Sequence, residues 1–162
     1  MNGYYHKIDS PIGPLHLAAT NDALLAIHHN LKRMEDWNKN TIAFKNDKNI
    51  IIEKTINELS EYFDGKRKKF NIPIQLSGTQ FQLKAWDALN KIPYAKTVSY
   101  SEQAKISGNP KATRAIGNAN NANPISIIVP CHRVIGKSGK LVGYGGGLDR
   151  KNYLLDLELK YD

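Results

Sequence analysis

With Cys131 as its one cysteine, a chain of 162 residues can form no intrachain disulfide and no zinc site built from several cysteines. It must therefore rely on an apolar core, and a hydrophobic content of 41% is enough to build one. The length suits one compact domain or two small lobes sharing an interface. No run approaches the roughly 18 consecutive apolar residues of a membrane-spanning helix. The opening Met1-Asn2-Gly3-Tyr4-Tyr5-His6-Lys7 lacks the charged start and apolar stretch of a secretory leader. A reducing, cytoplasmic and nucleoid-associated setting is the simplest expectation, without a membrane.

The formal charge of +8 points to an acidic partner, nucleic acid first among them. Residues 91–151 hold ten Lys or Arg against two acids, Glu102 and Asp149, so 10 − 2 = +8 accounts for the whole excess. Solvated lysines on an ordinary basic protein would give the same sum.

Along the chain, residues 4–9, 15–20 and 24–28 read as strands separated by turns at Ser10-Pro11-Ile12-Gly13-Pro14 and Asn21-Asp22. Polar residues dominate 30–49, where a loop or a short irregular helix is expected. Ile52, Ile56, Leu59 and Phe63 mark one face of a helix ending at Gly65. The run Lys66-Arg67-Lys68-Lys69 reads as a solvated loop. Residues 70–74 read as an edge strand, because Pro73 cannot donate to a central ladder. The character changes near Ser77-Gly78, which divides the chain into residues 1–76 and 77–162.

Beyond that point, Thr79 with Gln82 and Ser99 with Glu102 are two capping boxes. The first opens a helix with Phe81, Ala85, Ala88 and Leu89 inward; the second opens a short helix through Ala104 and Ile106. Gly108 closes that one. Asn109-Pro110 is expected to start the next, with Ala112, Ala115, Ile116 and Ala119 on its core face. Such a pair has the layout of a helix-turn-helix, and equally of a plain helical hairpin. The second helix carries Lys111, Thr113 and Arg114 among small residues, Ala112 and Gly117 included. That composition suits close approach to backbone or minor groove, not base-edge reading.

The apolar β-branched run Ile125-Ser126-Ile127-Ile128-Val129 reads as a buried strand delivering Pro130-Cys131-His132-Arg133. A lone cysteine is commonly a small buried hydrophobe. A nucleophilic one needs a nearby base or positive field, and His132 and Arg133 adjoin it. In a regular strand Cys131 and His132 would face opposite sides, so the pairing requires a turn.

Pro130-Cys131-His132-Arg133, with Asn123-Pro124 before it and Gly143-Tyr144-Gly145-Gly146-Gly147-Leu148 after it, closely resembles the signature of the methylated-DNA–protein-cysteine methyltransferases, the 6-O-alkylguanine-DNA alkyltransferases. The resemblance runs over residues 79–158; the N-terminal half fits by length and strand-rich character. It implies an α/β (α+β) fold: a small sheet-plus-helix lobe, then a mostly helical DNA-binding and active-site lobe with a winged helix-turn-helix.

The resemblance further implies single-use transfer of an alkyl group from the 6-oxygen of guanine (less readily the 4-oxygen of thymine) in double-stranded DNA. Cys131 resembles the accepting nucleophile, His132 the base acting through a water, and Glu158 the carboxylate that orients it. Tyr100 resembles the donor to the departing guanine and Asn123 the hinge. Arg114 resembles the arginine that replaces the extruded base, with Lys111, Ala112, Thr113, Gly117 and Arg133 also on the DNA. Val142, Tyr144, Gly145, Ser126 and Tyr100 would line the guanine pocket. Cofactor and metal are expected to be absent, since the substrate carries the group transferred; the N-terminal half also lacks the cysteine that some relatives use for a structural zinc. A monomer is expected. The branch of alkyltransferase-like proteins without the cysteine is disfavoured by Cys131. A non-catalytic DNA-binding regulator and a thiol hydrolase or peroxidase remain as rival classes.

Overall fold

The computed structural model describes residues 2–39 and 41–162. It is mixed α/β, and it divides into two compact units, Met1–Leu76 and Ser77–Asp162.

In the first unit β1 (Asn2–Ile8), β2 (Leu15–Ala19), β3 (Leu24–His28) and β4 (Ala43–Asn46) form one sheet in the order β3-β2-β1-β4. The first three are an antiparallel meander with Tyr4 opposite Ala19 and Leu17 opposite Ile27. Every residue of β2 and β3 is buried. One face packs Ala18 and Ala26 against Met34 of α1 (Leu31–Asn38), with Tyr5, Trp37 and Phe44 around them. Helix α2 (Ile50–Phe63) lies against β1, β2 and β3, burying Ile52, Thr55, Leu59 and Tyr62.

Residues 30–49 are more regular than their polarity suggests. Asn30 caps α1 by accepting from the Arg33 N–H at 2.9 Å. β4 joins the sheet as an exposed edge, parallel to β1. A four-residue, half-polar edge strand carries no period-two signal, so only pairing reveals it. Residues 70–74, conversely, make no strand. A single bridge ties Ile74 to Leu24; the Pro73 carbonyl accepts from Leu24 N, and Gln75 N returns a bond to the Leu24 carbonyl. Arg67 is drawn out of the solvated run toward Glu58 and Glu61, each at 3.4 Å.

The second unit holds α3 (Gln80–Asn90), α4 (Tyr100–Ile106), α5 (Thr113–Asn121) and α6 (Leu148–Lys160), with a short parallel pair β5 (Val98–Ser99) and β6 (Val134–Ile135). Both capping boxes are formed. Gly108 takes a left-handed φ of 87° and closes α4. Asn109-Pro110, however, does not begin α5. Ala112 N donates to the Asn109 carbonyl in a separate turn, and the helix starts at Thr113 after an uncapped Ala112.

The buried face of α5 is Ile116, Ala119 and Asn120, with Ala115 exposed and Ala112 only half-buried. The rotation has a polar cause. Asn120 and Gln103 exchange two amide hydrogen bonds, at 2.8 and 2.7 Å, inside the α4–α5 contact. Trp86 of α3 adds a bond from its indole N–H to the Ala119 carbonyl at 2.9 Å. These bonds satisfy buried polar groups and so fix one register of three packed helices.

Candidate active site

Residues 125–129 are buried, apart from a half-buried Ile128, as their β-branched composition suggests, but they form a tight turn and not a strand. Ile128 N donates to the Ser126 carbonyl and Val129 N to the Ile125 carbonyl. Ile127 sits at φ 76°, a region that β-branched residues avoid. The surroundings impose it. Asn123, itself buried, donates from Nδ2 to the Val129 carbonyl at 2.8 Å and accepts from Ile125 N at 3.0 Å, clamping both ends of the turn.

The chain leaves this turn through Pro130 into a 3-10 turn, Cys131–Arg133. All three side chains are buried; Cys131 retains 7% exposure and His132 none. The turn replaces strand alternation, so adjacent residues need not face opposite sides. His132 Nε2 lies 2.6 Å from Glu158 Oε2 on α6. His132 Nδ1 is buried with no hydrogen-bond partner among the described residues. Against an ionised carboxylate, which can only accept, the shared proton sits on Nε2 and leaves a lone pair on Nδ1.

Glu158 is 1% exposed. Besides His132, it accepts from Arg133 Nε at 2.8 Å, Arg133 Nη2 at 3.1 Å and Ala95 N at 3.0 Å. Burial alone would push this carboxyl upward. The bonds and charges of His132 and Arg133 outweigh it and hold Glu158 well below the ordinary carboxylate range. Burial lowers the His132 imidazole, against the pull of Glu158 and with a further push from Arg133 and Lys151. Both directions favour an ionised Glu158 beside a neutral His132. Ala95 holds a left-handed φ of 64° in the turn whose N–H meets Glu158, a conformation glycine adopts more readily.

Arg133, expected on DNA, is turned inward: its third nitrogen donates to the Ile92 carbonyl at 2.8 Å and the residue is 7% exposed. Lys151 is a second cation absent from the surface. Its amine donates to the carbonyls of Val134, Val142 and Gly143, and burial lowers it to about 8. Eight of the ten cations in residues 91–151 are then left outside, for 8 − 2 = +6 against Glu102 and Asp149. The helical phase signals Lys151: with Leu154 and Glu158 it falls at i, i+3, i+7, on the inward face of α6.

Tyr100, at the start of α4, donates from its hydroxyl to the Val142 carbonyl at 2.9 Å. Burial raises its phenol, and the charge of Cys131 adds to that. The Lys151 amine stands 5.9 Å from the Tyr100 ring centroid. The loop after Val142 turns at Gly143 (φ 56°), where a Cβ would stand 3.6 Å from the Tyr100 hydroxyl. Val142 is exposed, Tyr144 and Gly145 are half-buried, and Ser126 is buried within the turn that Asn123 clamps.

Lys111, Thr113 and Arg114 lie exposed along α5 and its leading turn, with Ala112 and Gly117 half-exposed. A Cβ at Gly117 would come within 3.9 Å of the Tyr100 ring, so α5 abuts Tyr100. The Cys131 thiol, the His132 imidazole, the Glu158 carboxylate and the Tyr100 phenol therefore share one unit with the exposed cationic helix.

Residues 80–160 match the family described as 6-O-methylguanine DNA methyltransferase, DNA binding domain, and residues 3–76 match its ribonuclease-like domain. The chain belongs to the 6-O-methylguanine DNA methyltransferase family. A methylated-DNA–protein-cysteine methyltransferase of Methanosarcina acetivorans is 46% identical over 160 residues, covering 96% of this chain and 97% of that one. Its namesake in Mycobacterium tuberculosis is 46% identical over 163 residues, covering 96% and 92%. The crystal structure of Mycobacterium tuberculosis OGT in complex with DNA superposes with a TM-score of 0.87 at 44% identity, covering 98% of this chain and 94% of that one. The family's two-part architecture, a sheet lobe followed by a helical lobe, is the one observed here. Among the described residues no helix is long and apolar enough to cross a membrane.

Proposed function

We propose that this chain repairs alkylated DNA by moving the alkyl group from the 6-oxygen of guanine, and less readily from the 4-oxygen of thymine, onto Cys131. The observation that carries the reading is the buried Glu158–His132 pair at 2.6 Å, adjoining the chain's one thiol and leaving His132 Nδ1 open. Cys131 yields its proton through a water to Nδ1, and its sulfur attacks the alkyl carbon. The carbon–sulfur bond forms as the carbon–oxygen bond breaks, and the electron pair passes to the guanine oxygen. Tyr100 redirects its hydroxyl from the Val142 carbonyl to that developing anion. The thioether has no route back, so each molecule acts once.

A methyl group on a paired base cannot reach a buried thiol, so the base must leave the stack at a cost of a few kcal/mol. Arg114, exposed on α5, takes the vacated position; Lys111, Ala112, Thr113 and Gly117 approach the backbone. Val142, Tyr144, Gly145 and Ser126 receive the guanine, with Asn123 fixing the turn that delivers Cys131. The residual surface excess of +6 in residues 91–151 supports affinity for duplex DNA that comes mainly from phosphates and falls with salt. We place this activity in a monomer in the cytoplasm, associated with the nucleoid, acting without cofactor.

The test is intact-protein and peptide mass spectrometry after mixing the protein with a duplex bearing one 6-O-methylguanine. A gain of one methylene unit on Cys131, on at most one equivalent of protein, is expected. Lesion binding without that gain would move the chain to damage sensing, and turnover on small substrates would make it a thiol hydrolase or peroxidase.

A further inference from the structure

The alkyl-transfer reading uses Cys131, His132, Glu158 and Tyr100, but leaves a buried guanidinium unexplained. We propose that Arg133 is a positioning residue for the reaction: its fork on Glu158 keeps His132 a neutral base, with the proton on Nε2 and Nδ1 open to receive another. The inference rests on that reading and concerns how its base is kept ready.

Arg133 Nε and Nη2 reach the two oxygens of Glu158 at 2.8 and 3.1 Å, and Nη1 is anchored on the Ile92 carbonyl. Guanidinium and carboxylate cancel, so a neutral His132 leaves the buried cluster without net charge. Take away the guanidinium and the carboxylate remains in the interior, 2.6 Å from an imidazole able to hold a second proton. A buried anion is then neutralised by protonation of its neighbour.

The groups facing this cluster offer no substitute. Lys151, from α6, has its amine on the carbonyls of Val134, Val142 and Gly143. The Tyr94 ring centroid lies 5.7 Å from the guanidinium carbon, and the Tyr100 hydroxyl is engaged on the Val142 carbonyl. His132 would therefore rest as an imidazolium. Its Nδ1 would be a donor, and the thiol proton would have to leave to solvent. Burial, Arg133 and Lys151 all push the His132 imidazole in the direction that the intact cluster requires.

Two measurements test this. Long-range 1H–15N correlation spectra of the wild-type protein at neutral pH should show His132 as the Nε2–H tautomer. An imidazolium, or the Nδ1–H tautomer, overturns the proposal. That result needs neither a variant that folds nor any methyl transfer, so it is separate from failure of the alkyl-transfer reading. The pH dependence of Cys131 methylation is the second. Arg133→Met should move the acid limb upward by about one to three pH units, with the rate recovering as pH rises. Arg133→Lys, which keeps the charge and loses the fork, should bring the limb back toward wild type. A rate lowered by the same factor at every pH, with the limb unmoved, would make Arg133 purely structural and overturn the proposal.

Discussion

Replacing Glu158 by glutamine changes one atom and sets the two ends of the site against each other. In the native protein Oε1 accepts from Ala95 N and Arg133 Nε, while Oε2 accepts from His132 Nε2 and Arg133 Nη2. The amide keeps one oxygen and puts an N–H donor where two donors already point. Turning it over only moves the conflict to Ala95 N and Arg133 Nε. Two charge-assisted bonds are lost at about 1.5–3 kcal/mol each, or roughly 3–6 together. A buried ion pair broken by removing one partner costs about 3–5 kcal/mol, which agrees.

His132 can relieve part of the conflict by moving its proton from Nε2 to Nδ1, but that closes the atom that would receive the thiol proton in the proposed reaction. The loss of a positioned base lowers a rate by about 10²–10⁴-fold. Glu158→Gln should therefore lose about 3–5 kcal/mol in urea denaturation followed through Trp86 in the second unit. It should also transfer methyl at least about a hundredfold more slowly in single-turnover quench. A variant within about 1 kcal/mol of wild type that reacts within about threefold would refute both the buried charge pair and the orienting role.

Two further outcomes follow from other parts of the molecule. His28 is buried under Trp37, with its Nε2 unpartnered among the described residues, and burial, then Arg33 and His16, lower it to about 4. A histidine lowered on folding contributes stability that is present above its unfolded value, near 6.5, and lost as pH falls from there toward 4. The shift corresponds to about 3 kcal/mol at most. His28→Phe should flatten the acid titration of Trp37 fluorescence; coincident curves would sink the argument. Arg114→Ala should slow methyl transfer from duplex DNA while largely sparing reaction with a free alkylated base, and equal losses on both substrates would count against its extrahelical-base role.

Much of the architecture was legible because it rests on local rules. The meander of β1 to β3, helix α2 and the two capping boxes follow from side-chain period and from which residues can cap a helix end. The motif around Cys131 is local in sequence and marks the thiol and its neighbours as site candidates by itself. The apolar, β-branched composition of residues 125–129 also marked their burial, which holds for all but the half-buried Ile128. It could not give their conformation, because a buried turn and a buried strand need the same apolar side chains. Only the Asn123 clamp, closing on a carbonyl six residues away, decides between them.

Other features depended on partners distant in sequence. β4 exists because β1 offers it a ladder, and α5 is rotated because Asn120 finds Gln103. In sequence Arg133 and Lys151 are two more cations in a basic segment. The tertiary structure buries them, one on Glu158 and the other on three carbonyls, because a charge in the interior persists only where folding brings it compensating groups. Composition determined how much charge this chain carries, and tertiary packing decided which of it faces solvent and which was enclosed around the thiol.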